Sequence, residues 1–364
     1  MAWTKLGSTK VGELGDADYS NDFSSSTGWT LGSGHTISGN KLSGTFSSSG
    51  DRSYLDLSSV NISDDSWVLR FGLKITATNT SSVNVLSMGL ADSTAVGSAT
   101  FGAGDDFNAI IYTSDSQKYN MRATNGGSGV FYERSTSTPV TNRQYYVELK
   151  KISDTSASLR FYDNSDYTAG SNALELLTNT TNTSGLTNLD YFMIKPYDTS
   201  SGSHTLEISD LKLWNNPTLT TDTITVDNLT AKKHLKITYK GFRSGDMIAR
   251  LRFNNDSQNN YSQRLSDNSG SDSTNTSQSG LEIATSSSNN EFSPIDVVNV
   301  SDKEKLVNAQ VIGQNSDGAG NVPRRRELVG KWSNQSDSIT RVDFVNTSGG
   351  DFGEGSEVTV YGTD

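Results

Sequence analysis

Alternation with a period of two constrains this chain more than any other feature. In WVLRFGLKI (67–75), Trp67, Leu69, Phe71, Leu73 and Ile75 fall on one face, and Val68, Arg70, Gly72 and Lys74 on the other. A run of this kind buries its apolar set and pairs its backbone only as a strand with one packed face. Similar runs recur through the chain. They include VNVLSMGL (83–90), NAIIYTS (108–114), QYYVELKKI (144–152), SASLRFYD (156–163), DYFMIKPY (190–197), HTLEISDLKLW (204–214), HLKITYKG (234–241), MIARLRFN (247–254) and ITRVDFVN (339–346). Turn clusters such as ATNGGSG and YDTSSGS separate them. The best helix candidates, NALELLT (172–178) and DKEKLVN (302–308), are too short to be stable alone. The polar stretch 254–280 is expected to be a surface loop.

At 364 residues the chain exceeds one ordinary domain, so two are expected. Only 32% of residues are hydrophobic, yet there are 14 Tyr, 13 Phe and 5 Trp. Disordered chains are poor in aromatics; antiparallel sandwiches with one wet face per sheet are not. The net charge of −11 divides into −7 for residues 17–216 and −4 for the rest, so neither part suits nucleic acid. There is no Cys, which excludes a disulfide framework and thiol chemistry. The N-terminus shows no apolar signal segment, and no run reaches membrane-spanning length, so membrane insertion is not expected.

Two sets of segments resemble known types. NDFSSSTGWTL, SYLDLSS, DDSWVLRFGLKI, LRFYDNSDYT and LEISDLKLW together resemble a concanavalin-A-like (laminin-G-like) sandwich over roughly residues 17–216. AKKHLKITYKG, ARLRFNNDSQNNYSQRLS, ELVGKW and ITRVDFVNTSGGDFGEGSEVTVYG resemble a small sandwich of virion structural proteins from marine tailed viruses. In those proteins an opening W-x-x-L-G-x-x-x-x-G-x-x-G-D runs straight into a segment like ITVDNLTAKKHLKI. Here Trp3, Leu6, Gly7, Gly12, Gly15 and Asp16 supply the opening, but the continuation begins only at residue 223.

The expected architecture is therefore all-β, with two antiparallel β-sandwich (jelly-roll-like) domains, the concanavalin-A-like one inserted in the other. Residues 1–16 would be the first strand of the host, 17–216 the insert, and 217–364 the remainder of the host. Insertion is tolerated at an exposed turn when the ends of the inserted domain lie close together. The other arrangement is two consecutive domains.

The chemistry sought in the sequence is mostly missing. A retaining glucanase needs paired carboxylates on one strand face, and the usual E-x-D-x-x-E spelling is absent, so no enzymatic activity is expected. His35, His204 and His234 lack metal-ligand spacing with one another. No cofactor is expected beyond a possible structural Ca²⁺. Domains of the resembled type often hold one where the end strands meet, which would bring Asp22 and Asp210 together; such acids also cap turns. Trp29, Tyr112, Tyr119 and Tyr132 lie near turns or strand ends and could stack on sugar rings, or belong to the core. Arg324, Arg325 and Arg326 could pair with acids of a neighbouring subunit, or within the chain.

The resemblance implies a non-enzymatic virion structural protein at the virion surface: a capsid decoration, spike or tail fibre. Its partners would be other virion proteins such as the major capsid protein, further copies of itself in a homo-oligomer such as a trimer, and cell-surface glycans. A free carbohydrate-binding lectin or adhesin module is the alternative.

Overall fold

Strands form over the alternating runs, and some of them, among them Trp67–Asn79 and Gln144–Ser153, bury residues on both faces. The computed structural model describes the chain except residues 1, 48–50, 80–84, 95–105, 113–118, 126–127, 135–139, 168–172, 180–182, 184, 197–202, 244–246, 285–289, 315 and 317. Side chains within strands are not described at 78–79, 85, 106–112, 119–120, 124–125, 128–134, 173–176, 179 and 196.

In chain order the strands are β1 (Thr4–Lys10), β2 (Tyr19–Asn21), β3 (Trp29–Thr30), β4 (Thr36–Ser38), β5 (Lys41–Phe46), β6 (Ser53–Asp56), β7 (Trp67–Asn79), β8 (Val85–Ala91) and β9 (Asp106–Tyr112). Next come β10 (Tyr119–Asn125), β11 (Ser128–Arg134), β12 (Gln144–Ser153), β13 (Ser156–Tyr162), β14 (Ala173–Asn179), β15 (Tyr191–Pro196), β16 (Ser203–Asn215), β17 (Thr223–Val226) and β18 (His234–Phe242). The chain ends with β19 (Ala249–Phe253), β20 (Tyr261–Asp267), β21 (Ser273–Gln278), β22 (Leu281–Glu282), β23 (Asn290–Val298), β24 (Lys305–Gln314), β25 (Arg324–Trp332), β26 (Val342–Asn346) and β27 (Glu357–Thr363). One 3-10 turn, Ser58–Val60, is the sole helical element among the described residues, so no described helix is long and apolar enough to cross a membrane.

The chain divides into two compact units. Unit 1 comprises residues 1–13 and 218–364; unit 2 is the continuous stretch 14–217 between them. Both are built from antiparallel sheets around one core each, so the protein is all-β.

Unit 2 holds two seven-stranded sheets, ordered β11-β10-β9-β8-β15-β6-β3 and β14-β13-β12-β7-β16-β5-β4, with β2 added against β16. Trp67, Leu69, Phe71 and Leu73 of β7 meet Leu86, Met88 and Leu90 of β8 and Phe192 of β15 in a shared core. Fully burying each such side chain contributes about 1.5–3 kcal/mol. Asp210, with φ +48, sits in a bulge where the β16–β7 register shifts between Ser209 and Lys212.

Unit 1 holds an eight-stranded sheet, β1-β27-β18-β23-β24-β25-β20-β21, over a four-stranded one, β17-β26-β19-β22. β1 pairs along β27 from Thr4 opposite Gly362 to Lys10 opposite Glu357. Val11, just beyond β1, is buried in this core, and its N–H donates to Ser356 O at 2.8 Å. At Gly12 the backbone turns with φ +74, and a Cβ there would lie 2.5 Å from Glu354 Cγ; both facts favour glycine.

Three local expectations are corrected. Both helix candidates are strands: 172–178 contributes β14 and 302–308 opens β24. A seven-residue helix has no cooperative support, whereas β24 gains two flanking partners, β23 and β25. The polar stretch 254–280 is not a loop throughout, for it contains the hairpin β20–β21. Tyr261, Gln263 and Leu265 are buried at period two along β20, and this short apolar signal is hidden among Asn, Ser and Gln.

Candidate functional site

The residues singled out in the sequence are scattered. Trp29 is a core residue of unit 2, 9% exposed, with its ring 5.3 Å from Phe23 and edge-on to Phe192 at 6.2 Å. It offers no face to a sugar, because a two-residue strand packed on β6 turns the indole inward. Tyr112, Tyr119 and Tyr132 fall on β9, β10 and β11, opposite Val85, Ile111 and Arg122 respectively; their side chains lie outside those described.

Asp22 caps its own turn: Oδ1 accepts from Ser24 N–H at 2.9 Å, and the Ser24 hydroxyl and N–H together hold the carboxyl below the usual range. Asp210 pairs with Lys212 at 3.2 Å. Among the described residues no three His, Cys, Asp or Glu side chains gather as metal ligands would. Of the arginine run, Arg326 is buried and engaged within its own chain. Its guanidinium meets Asp267 at both carboxylate oxygens, each 2.8 Å away, and Glu282 at 3.0 Å. Arg324 reaches Asp267 at 3.3 Å; Arg325, more exposed, lies 3.7 Å from Glu327. Arg326 thus pairs within the chain, where β25 directs it toward the β20 and β22 carboxylates.

The sheet containing β7 carries a closed polar cluster on its outward face in unit 2. Arg70 Nε and Nη2 approach Glu148 Oε2 at 2.7 and 2.6 Å. Lys150 Nζ and the Tyr162 hydroxyl each reach Glu148 Oε1 at 3.0 Å. The Arg70 guanidinium lies 4.3 Å from the centre of the Tyr167 ring and 5.2 Å from that of Trp214. Burial works against the Glu148 charge, but Lys150 and Arg70 outweigh it and hold the carboxyl below its ordinary value. With so many groups already paired, this cluster is built to order the sheet face rather than to receive a ligand.

The outward face of the other sheet of unit 2 differs. On β8 the residues alternating with the core set are Ser87, Gly89 and Ala91, all small. On β15, Tyr191, Met193 and the buried Lys195 lie opposite Ala91, Gly89 and Ser87; on β6, Asp56 and Tyr54 lie opposite Tyr191 and Met193. Ser87, Gly89, Ala91 and Met193 are buried, and Tyr54, Tyr191 and Asp56 are reached by solvent beside them. Tyr54 packs on Met193 and Ala91 and is edge-on to Tyr191, with ring centres 5.8 Å apart. Both tyrosines are half-buried. The Arg52 guanidinium stands 6.0 Å from the Tyr54 ring centre.

Two carboxylates flank the pair. Asp56, opposite Tyr191 in the register, accepts from the Ser58 N–H at 2.9 Å and hydroxyl at 2.6 Å, which lowers its pKa. Asp190 precedes Tyr191; partial burial first, then the Asp56 charge, raises its pKa. Half-buried rings beside acceptors and a guanidinium can stack on a pyranose and hydrogen-bond its hydroxyls. Sequence reasoning missed this site. The alternation in DRSYLDL and DYFMIKPY turns Tyr54 and Tyr191 outward, but nothing in either segment shows that they pair.

No protein-family model matches the chain, and no curated protein matches it. Solved structures similar to it include the CBM2 module of an evolved Dit from Lactobacillus casei BL23 phage J-1, at 12% identity over 58% of this chain and 98% of that one, TM-score 0.37. The legume lectin-like domain from Entamoeba histolytica is similar at 10% identity over 52% and 90%, TM-score 0.38. The Emp47p carbohydrate recognition domain is similar at 9% identity over 57% and 97%, TM-score 0.38.

Proposed function

We propose that unit 2 is a glycan-binding module and that unit 1 fixes it in a larger assembly, as a virion structural protein of decoration, spike or fibre type. One observation carries the glycan reading: the Tyr54–Tyr191 pair, half-buried above the small residues of β8 and flanked by Asp56, Asp190 and Arg52. Binding is without turnover. Each contact is weak, and avidity comes from the copy number of the particle. The virion setting is supported by the sequence resemblance of 1–16 and 223–364 to virion sandwiches, and by the apolar side chains on the outer face of unit 1.

A glycan array probed with the full chain, displayed multivalently, tests the reading. Retention on a defined set of glycans supports it; uniform absence of signal removes it. Mass spectrometry of purified particles tests the setting: peptides of this chain must be present in them.

A further inference from the structure

Unit 1 exposes apolar side chains where a solvated sheet would carry polar ones. Leu306 is 54% exposed, Val329 54%, Ile312 49% and Phe292 47%, all on the outward face of the adjacent strands β23, β24 and β25. Val298 of β23 and Trp3 extend the set across the same face. Alternation is intact here, since Val297, Val307 and Leu328 fill the core from the intervening positions. The outward set is therefore a mixed face, with these apolar side chains standing among Asn308, Gln310, Asp296 and Glu327, and not a slipped register. It lines two depressions. One, of about 580 Å³, lies among Trp3, Val298, Leu306 and Val329; the other, of about 330 Å³, lies among Phe242, Phe292 and Ile312.

We infer that this face binds the same face of a second copy of the chain, in a two-fold, sheet-on-sheet pair. Two observations select that occupant. The first is area: six strands from β1 to β25 at about 4.8 Å spacing, each about eight residues long, present roughly 800 Å². That is the whole sheet face, polar positions included, and it matches the roughly 800 Å² each partner gives to a stable interface. The second is charge. A chain of net charge −11 repels its own copies over most of its surface. This face instead carries both signs: Lys236 and Lys240 on β18, Asp296 opposite Lys236 on β23, and Arg325 beside Glu327 on β25. In a two-fold pair each basic strand can meet the acids of the other copy, so the contact is self-complementary.

The inference rests on the assembly role given to unit 1 above, and names its partner. Its test is sedimentation of the full chain between about 1 and 100 µM, where association of micromolar strength is visible. The wild-type chain is expected to form dimers. Leu306→Asp is expected to weaken pairing about 100-fold, the effect of spoiling a central contact. Should that variant fold poorly, Val298→Thr with Val329→Thr keeps β-branching while removing apolar area; its thermal transition should match wild type and its pairing should weaken. A monomeric wild-type chain, a closed trimer, or dimers undiminished in folded variants would each overturn the pairing. Glycan binding on the same samples reports on unit 2 alone, so the two failures are distinguishable.

Discussion

Arg70 and Glu148 stand directly opposite one another in the register of β7 and β12, and two guanidinium nitrogens converge on the single oxygen Oε2. Lys150 and Tyr162 hold the other oxygen. Removing the charge strands two cations on a buried face. Glu148→Gln is expected to lower the unfolding free energy of unit 2 by about 3–5 kcal/mol, read from urea denaturation. The pH sign follows from the depressed carboxyl. Its stabilisation is complete above the ordinary glutamate value of 4.5 and is lost as pH falls through the lower folded value. The variant's stability should be flatter over that acid range; a parallel decline in both proteins would contradict the role.

Glu291 of unit 1 has the opposite sign. Burial outweighs the adjacent Arg243 and pushes its carboxyl up to about 7. The folded state then binds a proton that the unfolded state releases, so stability falls as pH rises from 4.5 to about 7 and levels off above. Calorimetry should show unit 1 losing about 1–3 kcal/mol across that window. Glu291→Gln should remove most of the slope, and an unchanged slope would refute the assignment.

The two segments of unit 1 are expected to fold as one cooperative unit, a domain interrupted by an insertion in its first turn. β1 lies along β27, and Val11 is buried in the unit 1 core. Residues 1–13 joined by a short Gly/Ser linker to 218–364 should give one cooperative transition. The 218–364 segment alone should lose about 2–5 kcal/mol, from an exposed core edge and the missing Val11. Equal stability with and without the first strand would contradict this.

Much of the fold was legible because β-alternation is local. WVLRFGLKI announces its inward face at every second residue, and the structure buries Trp67, Leu69, Phe71, Leu73 and Ile75. Lys305–Gln314 was harder, since its outward positions include Leu306 and Ile312, and apolar residues on both faces blur the period. The site was less legible still. Tyr54 and Tyr191 meet only because β6 and β15 pair across most of unit 2, and local sequence holds no trace of that partnership. The sequence left two readings open for Trp29 and Arg326 for the same reason. Their side chains are spent on Phe23 and Phe192, and on Asp267 and Glu282, partners remote or unmarked in sequence.

Trp29 and the tyrosine pair should separate stability from binding. Trp29→Ala empties a core position and should cost unit 2 about 3–5 kcal/mol. Tyr54→Ala and Tyr191→Ala remove half-buried rings from a sheet surface, and each should cost only about 1–2 kcal/mol. A stability loss for either tyrosine variant as large as that of Trp29→Ala would return the pair to the core.

The most direct measurement is isothermal titration of the full chain, and of its Tyr54→Ala/Tyr191→Ala variant, with the glycan the array selects. The account predicts measurable binding by the wild-type chain and at least a 10-fold loss in the variant, about 1.4 kcal/mol or more, with the fold retained by circular dichroism. Equal affinity in the folded variant would contradict it and move the glycan site elsewhere on unit 2.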